Sequence, residues 1–188
     1  MDTQTSFSKK ILIPLVIVVI AAGIWYFSKD SSETPDIENL DDTPAAADPL
    51  NATYIIESEK YIFINGESEK EIEPGSATKI ETRIFSVPTT GDLDADGDND
   101  AAFFIQQNPG GTGTFYYLAV AINNNGKYTG TNAIWIGDRI APQMVEIKNG
   151  QVIANYADRA PDKPFSESPS IAKSFYARLK AGELVPID

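Results

Sequence analysis

Short runs of apolar and aromatic residues, separated by polar turns, follow one another along the chain from Asn51 onward. The stretch "TKIETRIF" alternates between charged side chains and apolar or small ones, which is typical of a strand with one buried face. "AAFFI" is continuously apolar and indicates a buried strand. The predicted strand segments are 53–58, 60–64, 78–85, 101–107, 113–122, 132–137 and 143–147.

Turn signals between these runs predict hairpins. "VEIKNGQVIANY" places Asn149-Gly150 between two apolar runs, where a type I′ turn fits. Asn65-Gly66 repeats this arrangement, and "SFYARLKAGELVPI" predicts a hairpin across Ala181-Gly182. A helix over 170–179 is the alternative for the last segment, but a strand is favoured. Together the segments predict an all-β or mainly β fold of eight to ten strands. They form one antiparallel, sandwich-like or barrel-like domain with a surface loop over 155–170.

The N-terminal segment has a different pattern. Residues 11–27 carry no charge and are nearly long enough to span a bilayer. Lys9 and Lys10 precede the run and favour a cytoplasmic N-terminus, while Trp25 and its aromatic neighbours suit the opposite interface. A cleaved signal peptide is the rival interpretation, and the bulky "IWYF" ending disfavours it. We therefore predict a cytoplasmic tail at 1–10 and a transmembrane helix at 11–28.

The segment 29–50 is predicted to be a linker. It holds seven acidic residues, one lysine and three prolines. Such a segment buries too little apolar surface to offset its chain entropy, and charge repulsion keeps it extended. The β-domain is then 51–188. These segments predict a single-pass protein of the cell (inner or plasma) membrane with an extracytoplasmic C-terminal domain.

Composition excludes several function classes. The formal net charge of −12 disfavours nucleic acid as a partner and favours cations. The chain has no cysteine, which excludes disulfides, thiolate zinc sites and cysteine nucleophiles. It also has no histidine, which excludes serine–histidine–aspartate catalysis and histidine metal ligands. Few classes of enzyme remain.

One loop concentrates the acidic side chains. "GDLDADGDND" places aspartates at alternate positions around Gly97, which permits a sharp turn. Calcium takes six to eight oxygen ligands, and a tight turn presents them from alternate residues. A solvated acidic turn is the alternative, but closely spaced like charges would destabilise it. We therefore predict a calcium site over 92–100, with the candidate ligands Asp92, Asp94, Asp96, Asp98 and Asp100.

This loop resembles the D-x-D-x-D-G-x-x-D calcium loop of FG-GAP repeats in integrin α-subunit propellers. In that family the ninth-position aspartate, here Asp100, closes the site, and the residue at position 2, here Leu93, packs inward. The resemblance covers 91–103 and implies the metal site alone, because a propeller needs at least four blades and the chain shows no repeat. The wider stretch 91–122 resembles a domain of uncharacterised bacterial membrane-anchored envelope proteins, which implies no activity.

Other candidate features are weaker. Tyr116 and Tyr117 lie on opposite faces of a predicted strand, and one of them would stack on a sugar or a peptide if its face were exposed. Core packing is the alternative for both rings, and it is favoured. Asp138-Arg139 and Asp158-Arg159 are interpreted as local ion pairs or turns.

These features predict a membrane-tethered, calcium-stabilised β-domain of the cell envelope that binds or scaffolds an unknown protein or glycan. A carboxylate-dependent hydrolase is the alternative, although no pair of acids stands out beyond the calcium loop. A purely structural or assembly component is a third possibility. The domain is not expected to bind nucleic acid.

Overall fold

The computed structural model describes residues 45–187. The predicted tail, the transmembrane helix and most of the linker lie outside these residues. The described part contains thirteen strands and one short 3-10 turn, with no α-helix. No helix within it is long and apolar enough to cross a bilayer. The all-β prediction is therefore confirmed for the described residues.

The strands are between three and ten residues long and follow one another closely along the chain. They are β1 Thr53–Ile56, β2 Glu59–Ile62, β3 Glu67–Glu71, β4 Lys79–Ile84, β5 Thr89–Gly91, β6 Asp100–Asn108, β7 Phe115–Asn124, β8 Lys127–Gly130, β9 Ile134–Asp138, β10 Ala141–Lys148, β11 Gln151–Asp158, β12 Ile171–Lys180 and β13 Glu183–Pro186.

Seven strands form the largest sheet, which is built around the long pair β6 and β7. This pair is antiparallel and in register from Ala101 opposite Ala121 to Gln107 opposite Phe115. On one side of β6, β4 and β5 pair with successive parts of the strand, and β3 lies beyond β4. The other edge of β7 is paired in the same way. β8 pairs with residues 121–124 of this strand and β9 with residues 115–118. The sheet is therefore antiparallel throughout.

A four-stranded sheet, β10–β11–β12–β13, covers one face of the large sheet. Phe104, Leu118 and Val120 from the central pair share a core with Val152 and Leu184 from the smaller sheet, and all five are almost fully buried. Packing of two apolar sheet faces is what produces a β-sandwich. We call this cluster the sandwich core.

The hairpin of β1 and β2 covers the other face of the large sheet. Tyr54 meets the rings of Phe63 and Phe103 edge to face, with ring centroids 5.2 and 5.4 Å apart. Ile105 and Tyr117 belong to the same buried cluster, which we call the hairpin core. The central strands are therefore buried on both faces, which explains their continuous apolar sequence.

Five hairpin turns have two residues with positive φ, as type I′ turns require. Asn65-Gly66, Asn149-Gly150 and Ala181-Gly182 were predicted and are present. Asn125-Gly126 and Glu57-Ser58 form two more. The second of these has no glycine, so both of its residues have side chains in the unfavourable left-handed region.

Other differences from the prediction occur where strands are short or polar. The structure has thirteen strands where eight to ten were predicted, and the three-residue β5 and the four-residue β8 are among those that no predicted segment covers. The fold also begins before Asn51, because Ala46 pairs with Tyr128 and Asp48 caps the 3-10 turn Pro49–Asn51. The surface loop predicted over 155–170 is present over 159–170, but its first four residues belong to β11, which pairs with β12 up to Asp158. β12 confirms that 171–180 is a strand rather than a helix.

Candidate metal centre

The acidic loop connects β5 to β6. Gly91 is opposite Asp100 in the pairing of these strands, so the ends of the loop are held side by side. Within it, Gly97 has a φ of 94° and Ala95 a φ of 66°. The first conformation costs glycine nothing, while the second is unfavourable for alanine. The strand pair and these two positive-φ residues fold eight residues into a compact turn.

Three carboxylates converge in this loop. Asp92, Asp94 and Asp100 each place a carboxylate oxygen within 4.8 Å of the other two. Asp92 and Asp94 are exposed, whereas Asp100 is fully buried. Close carboxylate oxygens are suitable ligands for a hard divalent cation. These three residues can therefore hold a metal ion.

Asp100 is fixed by two backbone donors. Its Oδ2 accepts the Leu93 N–H at 2.8 Å, and its Oδ1 accepts the Asn123 N–H at 2.8 Å. Burial raises the pKa of Asp100, the two N–H donors lower it, and the charges of Asp94 and Asp96 raise it further. Leu93 itself packs into the sandwich core. Its inward packing is what the family resemblance implied.

Asp92 orients the start of the loop. Its two carboxylate oxygens accept the N–H groups of Ala95, at 2.7 Å, and Gly97, at 3.2 Å. Asp94 Oδ1 accepts the N–H of Asp96 at 3.3 Å. Such side-chain to backbone bonds stabilise turns locally. The carboxylates of Asp92 and Asp94 lie close to that of Asp100, so their like charges repel each other.

The remaining two aspartates are not part of the three-residue cluster. Asp96 Oδ1 accepts the N–H of Asp98 at 2.8 Å. Asp98 Oδ2 accepts the N–H of Asn125 at 2.6 Å, and this bond links the loop to the turn between β7 and β8. Sequence reasoning missed Asn125, because no local pattern reports a contact between residues 27 positions apart.

The two candidate ligand-binding tyrosines lie elsewhere. Tyr116 is in the sandwich core and 8% exposed, and Tyr117 is in the hairpin core and 1% exposed. The Tyr117 hydroxyl donates to Glu57 Oε1 at 3.0 Å. Burial, followed by this bond to a carboxylate, raises the pKa of Tyr117. Core packing, the alternative interpretation of these rings, describes both positions.

The two predicted local acid–arginine pairs differ in outcome. Arg139 Nη2 lies 2.6 Å from Asp138 Oδ2, as predicted. Asp158 accepts the backbone N–H of Arg159 at 2.7 Å, but its ion pair is with Lys173 Nζ, also at 2.7 Å. Sequence alone does not indicate this pair, which forms because β11 and β12 are antiparallel neighbours and Lys173 lies opposite Tyr156, two residues from Asp158.

An open cavity of about 320 Å3 lies at the end of the large sheet formed by β3 and β4. Glu69 in this cavity is bonded to Lys79 Nζ at 2.6 Å. The Arg83 guanidinium donates two hydrogen bonds to Gln106 Oε1, at 3.1 and 2.8 Å, and this fixes its position. The lining residues are Glu67, Ser68, Glu69, Glu81, Thr82, Arg83 and Asn108.

Comparison with known proteins identified no relative of this chain. No protein-family model matches the chain, and no match was found among curated proteins or solved structures.

Proposed function

We propose that the loop 92–100 binds one calcium ion and that this ion stabilises the β-domain. The observation that carries the proposal is the convergence of Asp92 and Asp94 on a third carboxylate, Asp100, that is fully buried. A buried aspartate next to two other carboxylates is costly unless a cation compensates the charge. In the proposed site Asp96 adds a fourth carboxylate, and position 7 adds the Asp98 backbone carbonyl.

Calcium fits this loop better than magnesium. Magnesium requires near-ideal octahedral geometry and keeps most of its waters, whereas calcium accepts a larger and more variable set of oxygens. The loop offers three carboxylates whose oxygens lie within 4.8 Å of one another, and two of them, those of Asp92 and Asp94, are exposed to solvent. We propose a weak affinity typical of extracellular modules, about 0.1 to 1 mM.

The proposed setting is the outer side of a cell membrane. The uncharged run at 11–27 and the preceding lysines support a single-pass anchor with a cytoplasmic N-terminus. The test is protease treatment of intact cells that express the chain with a C-terminal tag. Loss of the tag without cell lysis supports the orientation. A tag that is protected until lysis, or that is released by alkaline washing of membranes, contradicts it.

The proposed role of the domain is binding or scaffolding of an envelope protein or glycan. Two large apolar side chains at the end of the hairpin support this role, since Ile62 and Ile64 are 67% and 68% exposed. Neighbouring exposed apolar side chains commonly mark interaction sites. Replacing both with serine should weaken partner binding and leave the calcium response unchanged.

A carboxylate-dependent hydrolase is the second candidate. The cavity on β3 and β4 favours it, because Glu67, Glu69 and Glu81 line one concave surface. Two carboxylates on opposite sides of a bound sugar are what glycoside hydrolysis requires. Hydrolysis of an envelope glycan that is lost in both Glu81→Gln and Glu67→Gln would favour this candidate over binding alone.

Thermal unfolding tests the calcium proposal. The full chain, purified in detergent, is melted in chelator and then across a calcium titration. At calcium about 100-fold above the dissociation constant, stabilisation should reach about 2.7 kcal/mol, which raises the melting temperature by several degrees. Asp94→Asn should lose most of this rise. Asp162→Asn, the same substitution on an exposed loop, should keep it. An equal melting temperature of the parent in chelator and in calcium would overturn the proposal.

A further inference from the structure

Three asparagine–glycine pairs occupy hairpin turns of the domain. They are Asn65-Gly66, Asn125-Gly126 and Asn149-Gly150, and all six residues have positive φ. An asparagine followed by glycine can lose its side-chain amide when the glycine nitrogen attacks the side-chain carbonyl carbon. The three pairs have the same sequence and similar backbone conformation, so their surroundings decide which of them reacts.

In two of the pairs the glycine nitrogen is engaged. The Gly66 N–H donates to Leu50 O at 2.8 Å, and the Gly126 N–H donates to Asn123 Oδ1 at 2.8 Å. The Asn125 side-chain amide is also held, because its Nδ2 donates to Asn124 Oδ1 at 2.8 Å. A nitrogen that donates a hydrogen bond must break it before it can attack a carbon, which slows the reaction.

The third pair is unrestrained. Within residues 45–187, neither the Gly150 N–H nor the Asn149 side-chain amide has a hydrogen-bond partner. Both residues are exposed to solvent. A Cβ added at Gly150 would meet one atom alone within 4 Å, Leu93 O at 4.0 Å, so the space beside the Gly150 Cα is open. Water and base therefore reach this turn freely.

We propose that Asn149 is a site of spontaneous deamidation, selected by the fold from the three asparagine–glycine pairs. A base removes the Gly150 N–H proton, and the nitrogen bonds to Asn149 Cγ. Nδ2 takes up a proton from the protonated base, the bond from Cγ to Nδ2 breaks, and ammonia departs, so that a five-membered succinimide remains. Water then opens the ring at one of its two carbonyls. The products are aspartate or isoaspartate, and the net change consumes one water and releases one ammonia.

The modification changes the surroundings of the acidic loop. The β10–β11 turn lies beside this loop, since Leu93 O is the nearest atom to the space above Gly150. Each conversion adds one negative charge to a chain whose formal net charge is already −12. The isoaspartate product also lengthens the backbone of the turn by one atom. The deamidated fraction at Asn149 therefore increases with the age of the molecule. The change occurs next to the candidate metal centre.

Peptide mass spectrometry tests the proposal. The folded full chain is incubated at mildly alkaline pH and then digested, and the aspartate and isoaspartate products are measured at all three asparagines. Because an ordinary hydrogen bond contributes a factor of about five, product at Asn149 should form at least about fivefold faster than at Asn65 and at Asn125. In urea, where no turn is folded, the three rates should become equal. The proposal would be overturned if, in the folded chain, the deamidation rate at Asn149 were less than about fivefold higher than the rate at Asn65 or at Asn125.

A pair of variants tests the cause of the selectivity. Asn123→Ala removes the acceptor of the Gly126 N–H, so deamidation at Asn125 should rise toward the rate at Asn149. Asn123→Asp keeps an acceptor oxygen and should leave Asn125 protected. Circular dichroism confirms that both variants are folded. Equal rates at Asn125 in the two variants would show that the hydrogen bond does not provide the protection.

Discussion

The carboxylate of Asp100 accepts a hydrogen bond from the backbone N–H of Asn123 at 2.8 Å, across 23 residues of sequence. This bond joins the end of the acidic loop to the end of β7. The other Asp100 oxygen holds Leu93, whose side chain packs in the sandwich core. Asp100 therefore acts as a structural acceptor as well as a candidate metal ligand, and the two roles can be separated by experiment.

Asp100→Ala should destabilise the fold even in chelator. The substitution leaves two backbone N–H groups without their acceptor in a buried position, which should cost about 3 kcal/mol of unfolding free energy. Urea unfolding followed by fluorescence measures the change. Asp96→Ala is the matched control, because Asp96 is exposed and the same substitution there should cost less than about 0.5 kcal/mol. Equal losses in the two variants would contradict the structural role of Asp100.

The acid stability of the domain should depend on Asp138. The hydrogen bond from Arg139 is the main reason that the pKa of Asp138 is lowered, and the Thr114 N–H lowers it further. Because the folded pKa lies below the unfolded one, this carboxylate stabilises the fold above the unfolded value of about 3.9, and the contribution is lost as pH falls through the folded pKa.

The test measures the free energy of unfolding of the parent and of two variants between about pH 5 and about pH 2. The parent should lose stability more steeply than Asp138→Asn, so the two curves should converge at the acid end. Asp162→Asn, on the exposed loop, should follow the parent curve. Parallel curves for the parent and Asp138→Asn would mean that this ion pair does not contribute.

The hairpin core should be sensitive to truncation of Phe103. This ring is fully buried and meets Tyr54 edge to face at 5.4 Å. Phe103→Ala leaves a cavity between the hairpin and the large sheet and should cost about 3 to 5 kcal/mol. Val87→Ala, at a side chain that is 88% exposed, should change stability by less than about 0.5 kcal/mol. A small effect at Phe103 would contradict the packing of the hairpin on this face.

The Glu57-Ser58 turn offers a stabilising substitution. Ser58 has a φ of 71°, which is unfavourable for a residue with a Cβ. Ser58→Gly should raise the unfolding free energy by about 1 kcal/mol. Glu57 is left unchanged, because it accepts a hydrogen bond from the Tyr117 hydroxyl. Ser168→Gly, at a residue without positive φ, should instead lower stability by about 0.5 kcal/mol. Denaturant midpoints measure both, and a loss in Ser58→Gly would contradict the assigned turn.

Local chemistry made part of this structure predictable. Asparagine or alanine followed by glycine occupies four of the five hairpin turns, because glycine removes the penalty of positive φ, and three of these four were predicted. The spacing of aspartates around Gly97 marked the acidic loop, and the apolar run after it marked β6. In each case a few neighbouring residues determine the conformation, so the sequence contains the relevant information within a short window.

Long-range packing was not predictable in the same way. Alternation along a strand reports which face is buried but not what covers it, so the placement of Tyr54 on Phe103 had no sequence signal. The turn at Glu57-Ser58 lacks glycine and is imposed by the pairing of β1 with β2. The bond between Asp98 and Asn125 joins two turns that approach each other only because β6 and β7 are paired.

Direct calcium binding is the measurement that tests the central claim. Equilibrium dialysis of the full chain against calcium counts the ions bound per chain and gives the dissociation constant. We predict one ion per chain, with a dissociation constant of about 0.1 to 1 mM, and a loss of this binding in Asp94→Asn but not in Asp162→Asn. Absence of binding in the parent, or equal binding in the parent and Asp94→Asn, would contradict the claim.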